Sequence, residues 1–305
     1  MPLYLIQNDR LKHIRSKPFR LEKDIQKLCE KNLKEIFNLD CVSSEFSVKN
    51  FRIDTLAFDP QVKAFVIIEY KKDKKFSVVD QGYSYLSVML NNKADFILEC
   101  NTNQKKSLKK DDIDWSQSKI IFISPSFTDY QIGAINFKDL PIELWEIKRY
   151  ANNTVNLTKI QTQGATESIK TISKRTKEIA KVSREIKTYT KEEHLKSIPE
   201  EMKELYEKLE SRILEIGEGI TIKTTKKYIG FIARTNFVDI RIQKKALKIW
   251  LNLKKGELKD TQGIARDVSN IGHWGNGDYE IHINDDSNLE YIINLIKESH
   301  EKNRE

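Results

Sequence analysis

Between Phe51 and Tyr85 the apolar positions change period twice, in FRIDTLAFDPQVKAFVIIEYKKDKKFSVVDQGYSYL. Phe51 to Phe58 reads as one strand and Ala64 to Lys71 as another, with a turn at Asp59-Pro60 between them. A tight turn between two such runs predicts an antiparallel hairpin. Side chains alternate across a strand, so Asp54 points with Leu56 and Phe58, and Glu69 and Lys71 point with Ile67. The charges interrupt faces that are otherwise apolar, and the pairing brings Asp54 beside Glu69 and Lys71. From Val78 to Asn91 the period becomes helical, and Gln81 and Tyr85 fall four apart on one face.

The same reading extends along the chain. Leu3 to Ile6 is a short strand followed by a basic connector. A helix runs from about Phe19 or Leu21 to Phe37, with Leu21, Ile25, Leu28, Leu33, Ile36 and Phe37 as its apolar stripe and Glu22, Gln26 and Glu30 as a second, polar stripe. Ser44 to Val48, Ala94 to Cys100, Lys119 to Ser124 and Ile142 to Tyr150 read as strands, the last continued at Thr154 to Ile160; Asp129 to Phe137 reads as a helix. Helix, three strands, helix, strand is the order of an α/β sandwich with a mixed sheet.

Residues 151–200 change character. Between Lys170 and Lys191 eight Lys or Arg face only Glu178 and Glu185, and Ile172, Ile179 and Ile186 recur every seven residues. This predicts a basic linker helix; a weak dimer contact and a DNA-backbone contact are the other readings, the thin stripe being too interrupted for a coiled coil. From about Pro199 an α+β domain begins. It has a helix at Glu201 to Ile216, strands at Ile220–Thr224, Tyr228–Ala233, Phe237–Gln243, Ala246–Leu253 and Tyr279–Ile283, and a closing helix at Asn288 to His300. Its turn IGHWGNGDYEIHI places His273 beside Trp274, a pair that packs or caps more often than it catalyses; Gly272, Gly275 and Gly277 fit a loop needing positive φ. The expected domains are 1–160, a basic helical linker at 161–199, and 200–305.

Two carboxylates at one buried spot repel, and a divalent cation removes the conflict. Mg2+ takes oxygen ligands and suits phosphate chemistry; Lys71 beside it can orient water or stabilise a crowded phosphoryl transition state. The bland alternative is a surface hairpin with solvated charges. Against it stand the interrupted apolar faces, the Lys71-Lys72 ending of a hydrophobic strand, and the Gln81/Tyr85 pair.

The pattern Asp54…Glu69-x-Lys71 followed by Gln81-x-x-x-Tyr85 resembles the PD-(D/E)XK nuclease superfamily, the restriction-endonuclease-like fold. Its Q-x-x-x-Y element is similar to the branch with RecB-like and lambda-exonuclease-like enzymes. Residues 20–150, with LEKDIQKLCEKNLKEIF, RIDTLAF, VIIEYKK and DQGYSYL, resemble a bacterial module distantly similar to the NucS endonuclease. The superfamily's Pro-Asp is departed from, since Ile53 precedes Asp54. The resemblance implies a mixed-sheet α/β (α+β) core, Asp54 and Glu69 as metal ligands, Lys71 as the catalytic lysine, and a further carboxylate from the first helix, Glu22 first and Glu30 second. Gln81 would hold water or phosphate, with Tyr85 in support. Residues 200–303 resemble a domain repeatedly attached to such modules, and bring no known activity.

Composition agrees with these readings without proving them. A net charge of +8 suits a polyanionic partner, and Lys170, Lys174, Lys177 and Lys181 are the densest candidates for DNA phosphates. Cys29, Cys41 and Cys100 show no paired spacing, so reduced structural thiols are expected, with no zinc site. MPLYLIQNDRLKHIR has no continuous apolar stretch of a signal peptide, and no run reaches a membrane span, so a cytoplasmic location is expected. The expectation is a Mg2+-dependent DNA endonuclease, with Mn2+ as a substitute and DNA as partner. The alternatives are a catalytically silent nucleic-acid-binding protein on the same fold, and a regulator acting through the second domain.

Overall fold

The structure, a computed structural model, describes residues 2–73, 76–137, 139–161, 167–168, 177–187 and 189–304. The chain divides into two compact units, 1–188 and 189–305. Among the described residues no helix is long and apolar enough to cross a membrane.

The first unit begins with a hairpin, β1 (Leu3–Gln7) and β2 (Arg10–Ile14). Asn8 and Asp9 both have positive φ, 50° and 59°, the signature of a two-residue type I′ turn. The expected basic connector is therefore a strand. Helices α1 (Glu22–Glu30) and α2 (Leu33–Phe37) follow, with the chain breaking at Lys31 and Asn32 where one continuous helix was expected. The sheet then runs β3 (Asp40–Val48), β4 (Phe51–Asp59), β5 (Ala64–Tyr70), β6 (Lys119–Ser124), β7 (Ile142–Arg149) and β8 (Val155–Lys159), in that spatial order. Pairing is antiparallel from β3 to β5, parallel from β5 to β7 and antiparallel again at β8. The parallel step from β5 to β6 is made by α3 (Val78–Asn91) and α4 (Lys93–Gln104), and α5 (Asp129–Ala134) precedes β7.

Every residue of β5 is buried. That follows from helices on both sheet faces, which is why its sequence runs apolar instead of alternating. Ile25, Cys29 and Leu33 close one face over Ala57, Val66 and Ile68. Leu86, Met89 and Phe96 close the other over Leu56, Phe65 and Ile67. Gly82 lets α3 approach closely: a Cβ there would lie 2.6 Å from Ile142 Cδ1.

Ala94 to Cys100, expected as a strand, is part of α4. Phe96 and Cys100, four apart, are buried while Leu98 is exposed, so the apolar run obeys a helical period. The basic stretch supplies α6 (Lys177–Glu185), whose Val182, with Ile186 just beyond it, is buried in this unit's own core, with Ile179 packed against it. These described apolar side chains of the expected linker helix thus pack within the unit. Ile172, the first residue of that repeat, lies outside the described residues.

The second unit holds α7 (Lys191–Leu195), α8 (Glu200–Leu214), a sheet of β9 (Thr221–Thr224), β10 (Ile229–Ile232), β11 (Asn236–Ile242), β12 (Leu247–Leu251), β13 (Arg266–Asp267) and β14 (Tyr279–Ile283), and α9 (Leu289–Asn303). The order is β13-β14-β12-β11-β10-β9, antiparallel throughout. Leu195 and Ile198, assigned to the linker on sequence, pack against this unit's core, so the boundary lies near 188. Of the three turn glycines only Gly277 has a positive φ, 84°. Gly275 is needed for space instead, since a Cβ there would lie 2.5 Å from the Trp250 ring.

Candidate active site

Strands β4 and β5 are paired from Asp59↔Ala64 as far as Thr55↔Ile68 and then part. Asp54 and Glu69 come next on either side of the fork. Their carboxylates occupy the backbone positions that the ladder leaves open. Asp54 Oδ2 accepts from the Tyr70 amide at 3.0 Å, and Glu69 Oε1 accepts from the Asp54 amide at 3.2 Å. Beyond the fork β5 stays tied to β6, through the Lys71 amide and the Ile123 carbonyl at 2.9 Å. Lys71 Nζ donates to Glu69 Oε2 at 3.2 Å. The antiparallel hairpin expected from sequence is observed, and although its ladder stops at Thr55↔Ile68, Asp54, Glu69 and Lys71 lie together.

Glu69 is 1% exposed. Burial, reinforced by the neighbouring Asp54 charge, pushes its carboxyl up to about 7 despite Lys71. Burial likewise raises Asp54, offset in part by the Tyr70 amide and the Lys71 charge. Two carboxyls that each resist ionisation beside the other form a site short of positive charge.

The polar stripe of α1 lies along this fork. Glu22 Oε2 accepts from the Lys72 amide at 2.9 Å, just past Lys71, and its charge acts on Asp54. Gln26, 4% exposed, donates through Nε2 to the Asp54 carbonyl at 2.8 Å and to Glu30 Oε1 at 2.9 Å. Glu30 Oε1 also accepts from Thr55 Oγ1 at 2.6 Å. Thr55 in turn reaches the Tyr70 hydroxyl at 3.3 Å. Of the two first-helix acids, Glu22 joins the fork and Glu30 is held by Gln26 and Thr55. Gln26 is a positioning residue that the sequence showed only as a member of the stripe.

Gln81 and Tyr85 arrive from α3. The Tyr85 hydroxyl donates to the Arg52 carbonyl at 3.2 Å. Burial, then the Glu69 and Asp54 charges, raise its proton affinity, and Gln81 hydrogen-bonds it. Gln81 Oε1 is buried with no hydrogen-bond partner among the described residues. Tyr83, by contrast, is a core aromatic.

The donors at the fork are all oxygens, as a hard divalent cation requires. No group of three or more His, Cys, Asp or Glu among the described residues forms a ready metal cage. Mg2+ needs only one or two carboxylates, its remaining positions being water and phosphate. Asp54 and Glu69 fit that requirement, with Glu22 at hand.

The chain is 50% identical over 299 residues to a protein of Haemophilus influenzae described as uncharacterized, covering 98% of this chain and 99% of that protein. The two belong to one family. Its second unit carries a domain of unknown function, DUF5655, matched over residues 191–303. No solved structure matches the chain. The family's domain match begins at α7, close to the division between the two units.

Of the four lysines expected at DNA, Lys170 and Lys174 lie outside the described residues, as does the Lys177 side chain. Lys181 Nζ donates to Asn91 Oδ1 at the end of α3. In the second unit His273 is a turn brace: its Nδ1 and Nε2 face the Ile271 and Gly277 carbonyls at 2.7 and 2.8 Å. The three cysteines are free, and burial, with a small contribution from the Glu30 charge, pushes the Cys29 thiol up to about 12.

Proposed function

We propose that this protein is a Mg2+-dependent DNA endonuclease whose first unit is a member of the PD-(D/E)XK superfamily. The observation that carries the reading is the fork at Asp54 and Glu69, where a half-buried and a fully buried carboxylate meet Lys71 at the parting of two strands. The order α1, β3-β4-β5, α3, β6 on a mixed sheet agrees with that superfamily's core.

Asp54 and Glu69 would hold the ion, with Glu22 beside them. When bound, Mg2+ supplies positive charge to the phosphate as negative charge builds on it. Lys71, held by Glu69, orients the attacking water and donates to the phosphate oxygens in the transition state. Gln81 offers a free acceptor to water, and Tyr85 holds Gln81 in place from a hydroxyl anchored on Arg52.

The test uses the purified full chain on single-stranded, duplex and branched DNA with Mg2+, Mn2+ or EDTA. Cleavage that requires either metal and stops in EDTA is expected. Binding without cleavage on every substrate would instead make this a DNA-binding protein on a nuclease fold.

A further inference from the structure

The β1–β2 hairpin stands outside both apolar cores of its unit. Isolated two-stranded hairpins are marginal in water, so an exposed one with apolar side chains implies a surface that becomes covered. Its two faces differ. Residues opposite one another in an antiparallel pair share a face. Leu5↔Lys12 and Gln7↔Arg10 lie on one, and Tyr4↔His13 and Ile6↔Leu11 on the other. Ile6 and Leu11 are 73% and 69% exposed and stand one pair back from the Gln7↔Arg10 pair that borders the turn. Along residues 2–17, Arg10, Lys12, Arg15 and Lys17 face a single acid, Asp9. Among the described residues no carboxylate forms an ion pair with any of the four.

The root of the hairpin lies at the same end of the sheet as the candidate site. The Lys17 amide donates to the Arg149 carbonyl at 2.7 Å, and the Ala151 amide to the Arg15 carbonyl at 2.9 Å. Strands β5, β6 and β7 are parallel, so Arg149 leaves β7 at the same end of the sheet where Lys71 leaves β5. The segment between hairpin and α1 passes that end too, with Lys72 Nζ donating to the Arg20 carbonyl at 2.7 Å. A groove of about 340 Å³ at the root is lined by Lys17, Phe19, Lys148 and Arg149 among others.

We infer that the β1–β2 hairpin is an arm that grips duplex DNA beside the site, its Arg10/Lys12 face on phosphates and its Ile6/Leu11 pair inside a groove. A two-stranded ribbon fits a DNA groove, and apolar side chains on such arms press against base steps. The unpaired cations select a polyanion over a second copy of this basic chain, whose own hairpin would repel it. The inference rests on the DNA reading above.

The experiment measures binding of the full chain to a fluorescent duplex in EDTA, so that nothing is cut, as a function of salt. Arg10→Gln/Lys12→Gln should flatten the plot of log affinity against log salt by about 2, since each lost phosphate contact removes about 0.9. Ile6→Ser/Leu11→Ser should weaken binding at least fivefold while leaving that slope unchanged. These side chains are exposed and lie outside the cores, so both variants should melt with the wild-type chain. A wild-type protein that binds duplex while either variant matches it overturns the arm. So does self-association that Ile6→Ser/Leu11→Ser abolishes without changing DNA affinity, because a second copy would then be the occupant. A wild-type protein that binds no DNA removes the nuclease reading itself, and the arm with it.

Discussion

Gln26 Nε2 donates to the main-chain carbonyl of Asp54 at 2.8 Å, so helix α1 holds the residue that carries a site carboxylate by its backbone, not by its side chain. The carboxylate itself is left to the fork, where the Tyr70 amide fixes one oxygen.

Removing that tie should loosen the fold and the site together. Gln26→Leu keeps the bulk but leaves the Asp54 carbonyl and Glu30 without this donor in a buried place. An orphaned buried group costs roughly 1–3 kcal/mol, so urea unfolding should shift by that amount. Cleavage, measured on the same preparation, should fall further than the folded fraction does.

Asp54→Asn and Glu69→Gln should each raise stability without metal while destroying function. Either change removes one of two mutually repelling charges, half-buried at Asp54 and buried at Glu69, and keeps an oxygen that can accept the existing amide bond. Without added metal, the melting temperature should rise above wild type. With Mg2+ at about a hundred times its dissociation constant, wild type should gain about 2.7 kcal/mol and the variants almost nothing. Cleavage should drop at least about a hundredfold in both, and in Lys71→Ala, with duplex affinity in EDTA retained. Equal metal stabilisation of wild type and Asp54→Asn would remove Asp54 from the ligand set.

The two strands and their antiparallel pairing were legible because a turn at Asp59-Pro60 separates two apolar runs, and that pairing can bring Asp54 beside Glu69. The fork was not, since nothing in FRIDTLAF or FVIIEYK marks where a ladder stops. Glu22 ranks ahead of Glu30 on sequence, but both sit on one helical stripe, and only the packing of α1 shows Glu22 at the Lys72 amide and Glu30 at Thr55. Phe96, Ile97 and Leu98 are a run too short to show its period, so α4 read as a strand. Asn8-Asp9 did carry a turn signal, but the basic residues after it masked a strand with polar alternation. Of the isoleucine repeat, Ile179 lies on α6 and Ile186 just beyond it, and α3 of the same unit packs against that helix, so these described members are covered within the chain.

Gly277 should be the least replaceable glycine of the second unit. Its φ is 84°, and a Cβ there would lie 1.9 Å from the Leu251 carbonyl oxygen. Backbone cannot move aside as a flexible side chain can. Gly277→Ala should destabilise this unit by more than the roughly 1–3 kcal/mol of ordinary overpacking. The open Gly256, also at positive φ but with nothing near its missing Cβ, should cost less. Thermal melts of the two variants compared side by side decide the point.

The stability of the second unit should fall as pH rises from about 4 to about 6, through Asp239. This carboxyl is fully buried and accepts from Asn236 Nδ2 and from the Asn276 amide and Nδ2, all at 2.7 Å. Those bonds, chiefly from Asn236, favour the charged form, but burial outweighs them and the carboxyl is raised from 3.8 to about 6. In the unfolded chain Asp239 gives up its proton near 3.8, whereas the folded chain holds it to about 6. Between those values the unfolded state binds fewer protons, so each step up in pH favours unfolding. The contribution is complete below about pH 4 and lost above about pH 6, a fall on the order of 3 kcal/mol. Asp239→Asn cannot titrate, so its urea midpoint should stay flat over that window while wild type declines. The Asn276 bonds tie Asp239 to the Gly-rich turn that carries Trp274, which stands exposed under Lys227 Nζ at 4.0 Å. Tryptophan emission should therefore shift with the same midpoint in wild type and not in Asp239→Asn. An identical pH profile in the two proteins would show that the buried carboxyl stays ionised throughout, held by its three donors.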